Sequence, residues 1–234
     1  MGGESDLLFF SRQIGIDPVT GQEVPVNGGG KITGTLGGFD VGLMDISTRE
    51  EGPNPEANYG VARVKRSLFG ESYVGAMYVD KRSGSPTDSY NQTGGLDARF
   101  VVHKDVVLTG FGVLTRSPEL SSGQNNAGAS VSYRTDFVDF VAERRRIGQN
   151  FNPEVGFIER NNCLCDFADL TLKPRPKLKG IRELEFERRW RALCNMMPYG
   201  SQPYGRVMRW HGRCRHANQK VNSGEGWLQG CPSS

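Results

Sequence analysis

The chain has 234 residues, with 29 Lys and Arg against 26 Asp and Glu and a formal net charge of +3, a length that allows one or two domains. No segment approaches the roughly 18 uncharged apolar residues that a membrane helix needs, which excludes a helical membrane protein. The composition leaves a β-barrel open, because barrel strands show only one apolar face and carry polar residues on the other.

The two ends of the chain differ in charge. Residues 188–234 contain eight Lys and Arg against the single acid Glu225, and they also contain all three Trp and three of the five Cys. The sequence therefore predicts a body at residues 1–187 and a basic tail, containing Cys and Trp, at residues 188–234.

The body is predicted to be a series of about 11 strands. The pair Gly37-Gly38 separates two runs in which apolar residues alternate at period two, Ile32–Leu36 and Phe39–Leu43. Two glycines adopt positive φ cheaply, so the pair predicts a tight hairpin. The predicted strands are residues 7–14, 32–36, 39–43, 59–66, 72–80, 96–103, 105–115, 127–135, 137–146, 164–173 and 180–187.

The connections between these strands alternate in length. The long ones, at 15–29, 48–58, 81–94, 116–126 and 147–162, are rich in Gly, Pro, Asn and Ser, whereas the ones between them are short. An up-and-down antiparallel meander brings every second connection to the same end of the sheet. Long loops at one end and tight turns at the other are typical of an outer-membrane barrel. Alternating strands also occur in soluble antiparallel sheets with one solvated face.

Five stretches of the body resemble one family of bacterial outer-membrane proteins. They are Leu8–Gly15, Gly30–Gly34, Phe39–Ile46, Asn58–Arg66 and Gly148–Phe157. The family is the predicted β-barrel region of unknown function that follows a family-9-like carbohydrate-binding module. The resemblance covers about residues 5–187. It implies an all-β, antiparallel up-and-down meander that forms part of a transmembrane β-barrel in the bacterial outer membrane.

The resemblance also implies partners for the chain: outer-membrane lipid, the missing strands of the same barrel, and saccharide-like solutes that are bound or passed. Family members begin with a signal peptide and the carbohydrate-binding module, neither of which is recognised in this sequence, and they continue with further strands after the point that matches Glu187. We therefore expect an internal, non-enzymatic fragment of a barrel. Its tail, residues 188–234, is expected to be irregular or an out-of-frame translation. The alternatives are a soluble all-β carbohydrate-binding module and a glycoside hydrolase-associated domain.

The sequence assigns no catalytic, cofactor-binding or metal-binding residue. Zinc-ligand types occur in the tail at Cys194, His211, Cys214, His216 and Cys231. Their spacing matches no paired scheme, and Arg213 and Arg215 would repel a divalent cation. The segment Gly28–Lys31 lacks the fixed spacing of a phosphate-binding loop and is interpreted as a flexible loop. The basic charge of the tail is interpreted as a stray basic stretch, and nucleic acid is not an expected partner.

The remaining residues with reactive or ionisable side chains are interpreted as structural rather than functional. Cys163 and Cys165 are predicted to be inert thiols on one face of a strand. The acids Glu183, Glu185 and Glu187 alternate along a strand, which indicates a wet face rather than a pair of glycosidase carboxylates. His103 is predicted to lie in a tight turn.

Overall fold

The computed structural model describes residues 9, 11–17, 21–52, 54–85, 89–118, 120, 122–156, 158, 161–175, 181–196 and 206–216. The strands are β1 (Val26–Leu36), β2 (Phe39–Thr48), β3 (Ala57–Ser67), β4 (Tyr73–Ser83), β5 (Tyr90–Val102), β6 (Val106–Arg116), β7 (Asn125–Arg134), β8 (Val138–Ile147), β9 (Cys163–Leu172), β10 (Ile181–Met196) and β11 (Arg206–His216). Within these ranges a single 3-10 turn at Ser11–Gln13 accompanies the strands.

The strands form one antiparallel sheet in which their spatial order follows their order in the chain, from β1 to β11. This confirms the predicted all-β, up-and-down meander. The described residues show no pairing between β1 and β11, so each of these two strands keeps one edge without a partner strand there.

Tight turns close the hairpins at one end of the strands. Gly37 and Gly38, between β1 and β2, have φ values of 58° and 81°, as the sequence predicts for a Gly-Gly hairpin. His103 and Lys104 join β5 to β6 with φ values of 53° and 60°. These are left-handed conformations that side chains other than Gly rarely adopt. His103 therefore lies in the turn that the sequence predicts.

The long connections lie at the other end of the strands, at residues 49–56, 84–89, 117–124 and 148–162. They are shorter than predicted, because several strands continue beyond their apolar residues. β5 begins at Tyr90 and β1 begins at Val26. Polar and Gly-rich stretches lack apolar alternation, but their backbones pair with the neighbouring strand all the same.

The prediction of a flexible loop at Gly28–Lys31 is wrong, because these residues lie inside β1. Gly29 is the Cα partner of Ile46. A Cβ added at Gly29 would lie 2.6 Å from the carbonyl oxygen of Asp45. The Gly-rich segment thus lets two backbones approach closely instead of forming a mobile connection.

The prediction of a first strand at residues 7–14 is also wrong for those of its residues that the structure describes. Ser11–Gln13 form a 3-10 turn, and the N–H of Ile14 donates to the carbonyl oxygen of Ser11. Residues 1–8 and 10 lie outside the described residues. The four apolar residues at 7–10 made a strand plausible, but local i to i−3 hydrogen bonding prevails at Ser11–Gln13.

Part of the predicted irregular tail forms strands. β10 continues past residue 187 to Met196, and β11 pairs with it. The register places Glu183 opposite Arg215 and Glu185 opposite Arg213. Residues 197–205 and 217–234 of the tail, with Cys231 among them, lie outside the described residues.

The chain divides into two compact units. Unit 1 comprises Met1–Phe100, Thr109–Gly128 and Arg146–Cys163, and unit 2 comprises Val101–Leu108, Ala129–Arg145 and Leu164–Ser234. Unit 1 contains the long connections, and most of the buried apolar side chains lie near them, at Ala57, Val79, Val113, Ile147, Phe151 and Val155. In unit 2, Lys173 Nζ lies 2.5 Å from Asp139 Oδ2. The described part of the chain contains no helix long and apolar enough to cross a membrane.

Candidate functional site

The registers of β1–β5 divide their side chains between two faces of the sheet. We call the first the apolar face; one of its rows joins Ile32, Leu43, Ala62 and Tyr78 across four strands. Its other apolar members are Leu36, Phe39, Val41, Val64, Val74, Ala76, Leu96 and Ala98. We call the opposite one the polar face; its members include Lys31, Asp40, Arg63, Lys65, Tyr73, Lys81, Asn91, Asp97 and Arg99.

Along β3–β5 the apolar face is the more exposed of the two. Along β4, Val74, Ala76 and Tyr78 are exposed, whereas Tyr73 and Met77 on the polar face are half-buried. Ile32, Leu36 and Leu96 expose 74%, 78% and 68% of their surface. Single exposed apolar residues are ordinary, but a continuous exposed apolar face marks contact with an apolar partner.

Polar side chains border the apolar face toward the long connections. Asn58 Nδ2 donates to Asp45 Oδ1 at 3.1 Å, and Arg82 Nε donates to Asp80 Oδ2 at 2.9 Å. These four residues point to the same side of the sheet as the apolar face. The apolar band therefore ends in a hydrogen-bonded polar row.

An ion pair crosses β4 on the polar face. Arg63 on β3 pairs through both of its terminal nitrogens with the carboxylate of Asp97 on β5, with 2.9 Å between Nη2 and Oδ2. Gly75 on β4 is the Cα partner of both Lys65 and Asp97. A Cβ at Gly75 would lie 2.6 Å from Arg63 Nη2 and 3.0 Å from Asp97 Oδ1. The missing side chain at Gly75 thus makes room for the bidentate pair.

Three further side chains surround this pair. The Nζ of Lys65 lies 4.5 Å from the centroid of the Tyr73 ring, and Tyr73 is the cross-strand partner of Arg99. Tyr73 also interacts electrostatically with Asp97 and Arg99. We call Arg63, Lys65, Tyr73, Asp97 and Arg99 the ionic cluster.

The connection 148–162 covers the polar face near its long-loop end. Phe151 is 0% exposed, and Lys81 Nζ forms an ion pair with Glu154 Oε2. Asn91, itself buried, donates from Nδ2 to the carbonyl oxygen of Asn152 at 3.0 Å. Both Lys81 and Asn91 belong to the polar face, so the connection folds back over the sheet.

This connection is also fixed to its neighbour, residues 117–124. The N–H of Asn150 donates to the carbonyl oxygen of Gly123 at 3.0 Å, and Asn150 Nδ2 donates to the carbonyl oxygen of Ser122 at 2.8 Å. A Cβ at Gly148 would overlap the carbonyl oxygen of Gly123 and lie 2.7 Å from its carbon. The two connections therefore touch through their backbones.

The zinc-ligand types of the tail have side chains outside the described residues, at Cys194, His211, Cys214, His216 and Cys231. The other chemically suggestive residues do not gather into one site in the part of the chain that the structure describes. His103 lies in a tight turn, and Glu187 is the Cα partner of His211 in the pairing of β10 with β11. Within the described ranges, no three His, Cys, Asp or Glu side chains come together in a way that could hold a metal ion. The ionic cluster was not predicted, because its pairing joins strands that are not neighbours.

The prediction of two inert strand thiols is wrong for Cys165. Cys163 is buried, but Cys165 is disulfide-bonded, to a cysteine whose side chain lies outside the described residues. Alternate residues of one strand are too far apart to bridge each other, as the sequence indicates. That geometry does not prevent a bond to a cysteine elsewhere in the chain.

Replacing Gly75 with alanine tests how the ion pair is accommodated. Gly112→Ala, where the added Cβ meets nothing within 4 Å, should stabilise the fold by about 0.5–1 kcal/mol, because alanine lowers the entropy of the unfolded chain. Gly75→Ala should instead be neutral or cost about 1 kcal/mol, because its Cβ displaces Arg63 from Asp97. Equilibrium unfolding of both variants measures the difference. In an Arg63→Gln background the difference in unfolding free energy between the two substitutions should shrink, because the contact with Asp97 alone remains. A difference of unchanged size would show that Gly75 acts through its own strand.

Comparison of the chain with protein-family models, with curated proteins and with solved structures finds no match.

Proposed function

We propose that this chain spans a bacterial outer membrane as part of a β-barrel, with its apolar face against lipid and its polar face lining an aqueous interior. The proposed role is non-enzymatic: the binding or passage of saccharide-like solutes. The observation that carries the proposal is that the exposed face of β3–β5 is the apolar one, while the charged face is the more sheltered.

A soluble sheet reverses this arrangement. In water, burial of apolar side chains stabilises the fold by about 25 cal/mol per Å² of apolar surface. The sheltered face of a soluble sheet is therefore the apolar face. Lipid removes that driving force, and a barrel wall accordingly places apolar side chains outside and polar side chains inside. The distribution in β3–β5 supports the second environment.

Three other features support a barrel wall. Long connections lie at one end of the strands and tight turns at the other, as in outer-membrane barrels. The apolar face ends in a polar row at Asp45 and Asp80, where headgroups or water would begin. The disulfide at Cys165 suits an oxidising compartment such as the periplasm or the cell surface.

The proposal requires further strands. In a bilayer every backbone N–H and C=O must be paired, so an unpaired strand edge in hydrocarbon is not tolerated. The outer edge of β1 lacks a partner strand within the described residues. We propose that strands of the same barrel cover it, and that a second copy of the chain covers it when the chain is reconstituted alone.

Vesicle flotation tests the proposal. Chain diluted from denaturant into dilauroylphosphatidylcholine vesicles should float with the lipid, and its strands should resist protease there. The same dilution without lipid should give aggregates, because the apolar face then meets water. A monomeric, protease-resistant product in plain buffer that ignores vesicles would contradict the proposal and favour the soluble carbohydrate-binding module.

A further inference from the structure

The ionic cluster carries more positive than negative charge. Arg63, Lys65 and Arg99 are cations, and Asp97 is the single carboxylate among the five members. Both oxygens of Asp97 are taken by Arg63. Neither Lys65 nor Arg99 forms an ion pair within the described part of the chain.

The two remaining cations, Lys65 and Arg99, are each related to Tyr73 and are partly accessible. Lys65 sits over the ring of Tyr73, and Arg99 is the cross-strand partner of the same tyrosine. Both cations are half-buried, so solvent reaches them while the neighbouring strands restrict their motion. The connection 148–162 bonds to the polar face at Lys81 and Asn91, near the long-loop end. Neither of these two residues belongs to the ionic cluster.

The arrangement fits an anionic group. A guanidinium and an ammonium that flank an aromatic ring offer several N–H donors to an oxyanion, and hydrogen bonds between ionised groups are about twice as strong as neutral ones. Two carboxylates adjoin the cations: Arg63 neutralises Asp97, and Asp40, the cross-strand partner of Lys65, accepts a hydrogen bond from Thr35 Oγ1.

We propose that the ionic cluster binds the carboxylate or sulfate group of an acidic saccharide, and that it makes the polar face prefer acidic over neutral saccharides. This rests on the proposed function, which supplies the solute class. Lys65 and Arg99 hold the oxyanion, and the pair of Arg63 with Asp97 fixes the surface beside it.

Calorimetric titration in detergent micelles tests the inference with three named probes: tetragalacturonate, a sulfated maltotetraose and neutral maltotetraose. We expect each acidic probe to bind at least about tenfold more tightly than maltotetraose at low salt. If only one acidic probe does so, that probe identifies the oxyanion. Lys65→Gln and Arg99→Gln should each weaken binding of the acidic probe about tenfold and leave maltotetraose unchanged.

Arg66→Gln is the matched control. Arg66 adjoins Lys65 in β3, but it belongs to the opposite face, where its guanidinium lies 4.8 Å from the Phe39 ring centroid. Equal binding of all three probes, no binding of any probe, or an equal loss in Arg66→Gln would overturn the inference. Vesicle flotation distinguishes the two proposals: a chain that inserts but does not discriminate refutes this inference alone, whereas a chain that ignores vesicles refutes the proposed function.

Discussion

Leu96→Arg is expected to lower the free energy of unfolding from lipid vesicles by about 2–4 kcal/mol, whereas Phe69→Arg should cost less than about 1 kcal/mol. Leu96 lies in the register row with Val64 and Ala76, inside the apolar face. A guanidinium placed there would enter hydrocarbon. Phe69 lies in the tight turn between β3 and β4, where a cation reaches water.

The two positions form a matched pair, because Leu96 exposes 68% and Phe69 exposes 61% of its surface. In water, substitutions at such exposed positions usually change stability by less than about 0.5 kcal/mol, so both variants would then resemble the parent chain. Denaturant titration of the vesicle-bound protein, followed by tryptophan fluorescence, measures the cost of each substitution. Equal and small costs at both positions would rule out a lipid-facing apolar surface.

Local pattern predicts most of the sheet. The hairpin at Gly37-Gly38 follows from two runs of period-two alternation joined by residues that adopt positive φ. The same alternation predicts the cores of β2 to β10, because each strand shows one apolar face. Strand order follows as well, since short connections force sequential antiparallel neighbours.

Strand ends are predicted less well. β5 begins at Tyr90 with the residues Asn91 to Gly95, which show no apolar alternation. Their backbones pair with β4, and buried Asn91 is satisfied by Ser117 and Asn152. Hydropathy detects the apolar part of a strand, whereas backbone pairing extends it.

The ionic cluster and the loop contacts depend on long-range geometry. Arg63 and Asp97 are 34 residues apart and lie on strands separated by β4. Gly75 shows as an isolated glycine in the sequence, which signals a close approach without naming the partner. Likewise the burial of Phe151 does not show in the sequence, because it depends on a connection whose neighbours Glu154 and Asn152 bond to Lys81 and Asn91 of distant strands.

Phe151→Ala should detach the connection 148–162 from the polar face. Phe151 is fully buried in unit 1, and truncation of a buried Phe costs about 3–5 kcal/mol. The remaining anchors are the ion pair of Lys81 with Glu154 and the bond from Asn91 to Asn152, which are worth less than the lost side chain. Cleavage after Glu154 by a glutamate-specific protease should therefore accelerate at least about tenfold, because it reports local opening.

Phe137→Ala provides the control, because Phe137 is the same residue type but exposes 60% of its surface in a tight turn. It should leave the rate of cleavage at Glu154 unchanged and cost less than about 1 kcal/mol. Equal protease resistance in both variants would show that the connection is fixed by its polar contacts. Global unfolding of Phe151→Ala, rather than cleavage confined to Glu154, would instead make Phe151 part of the core of unit 1. In either case the comparison separates the role of the aromatic side chain from that of the backbone contact between Gly148 and Gly123, which both variants retain.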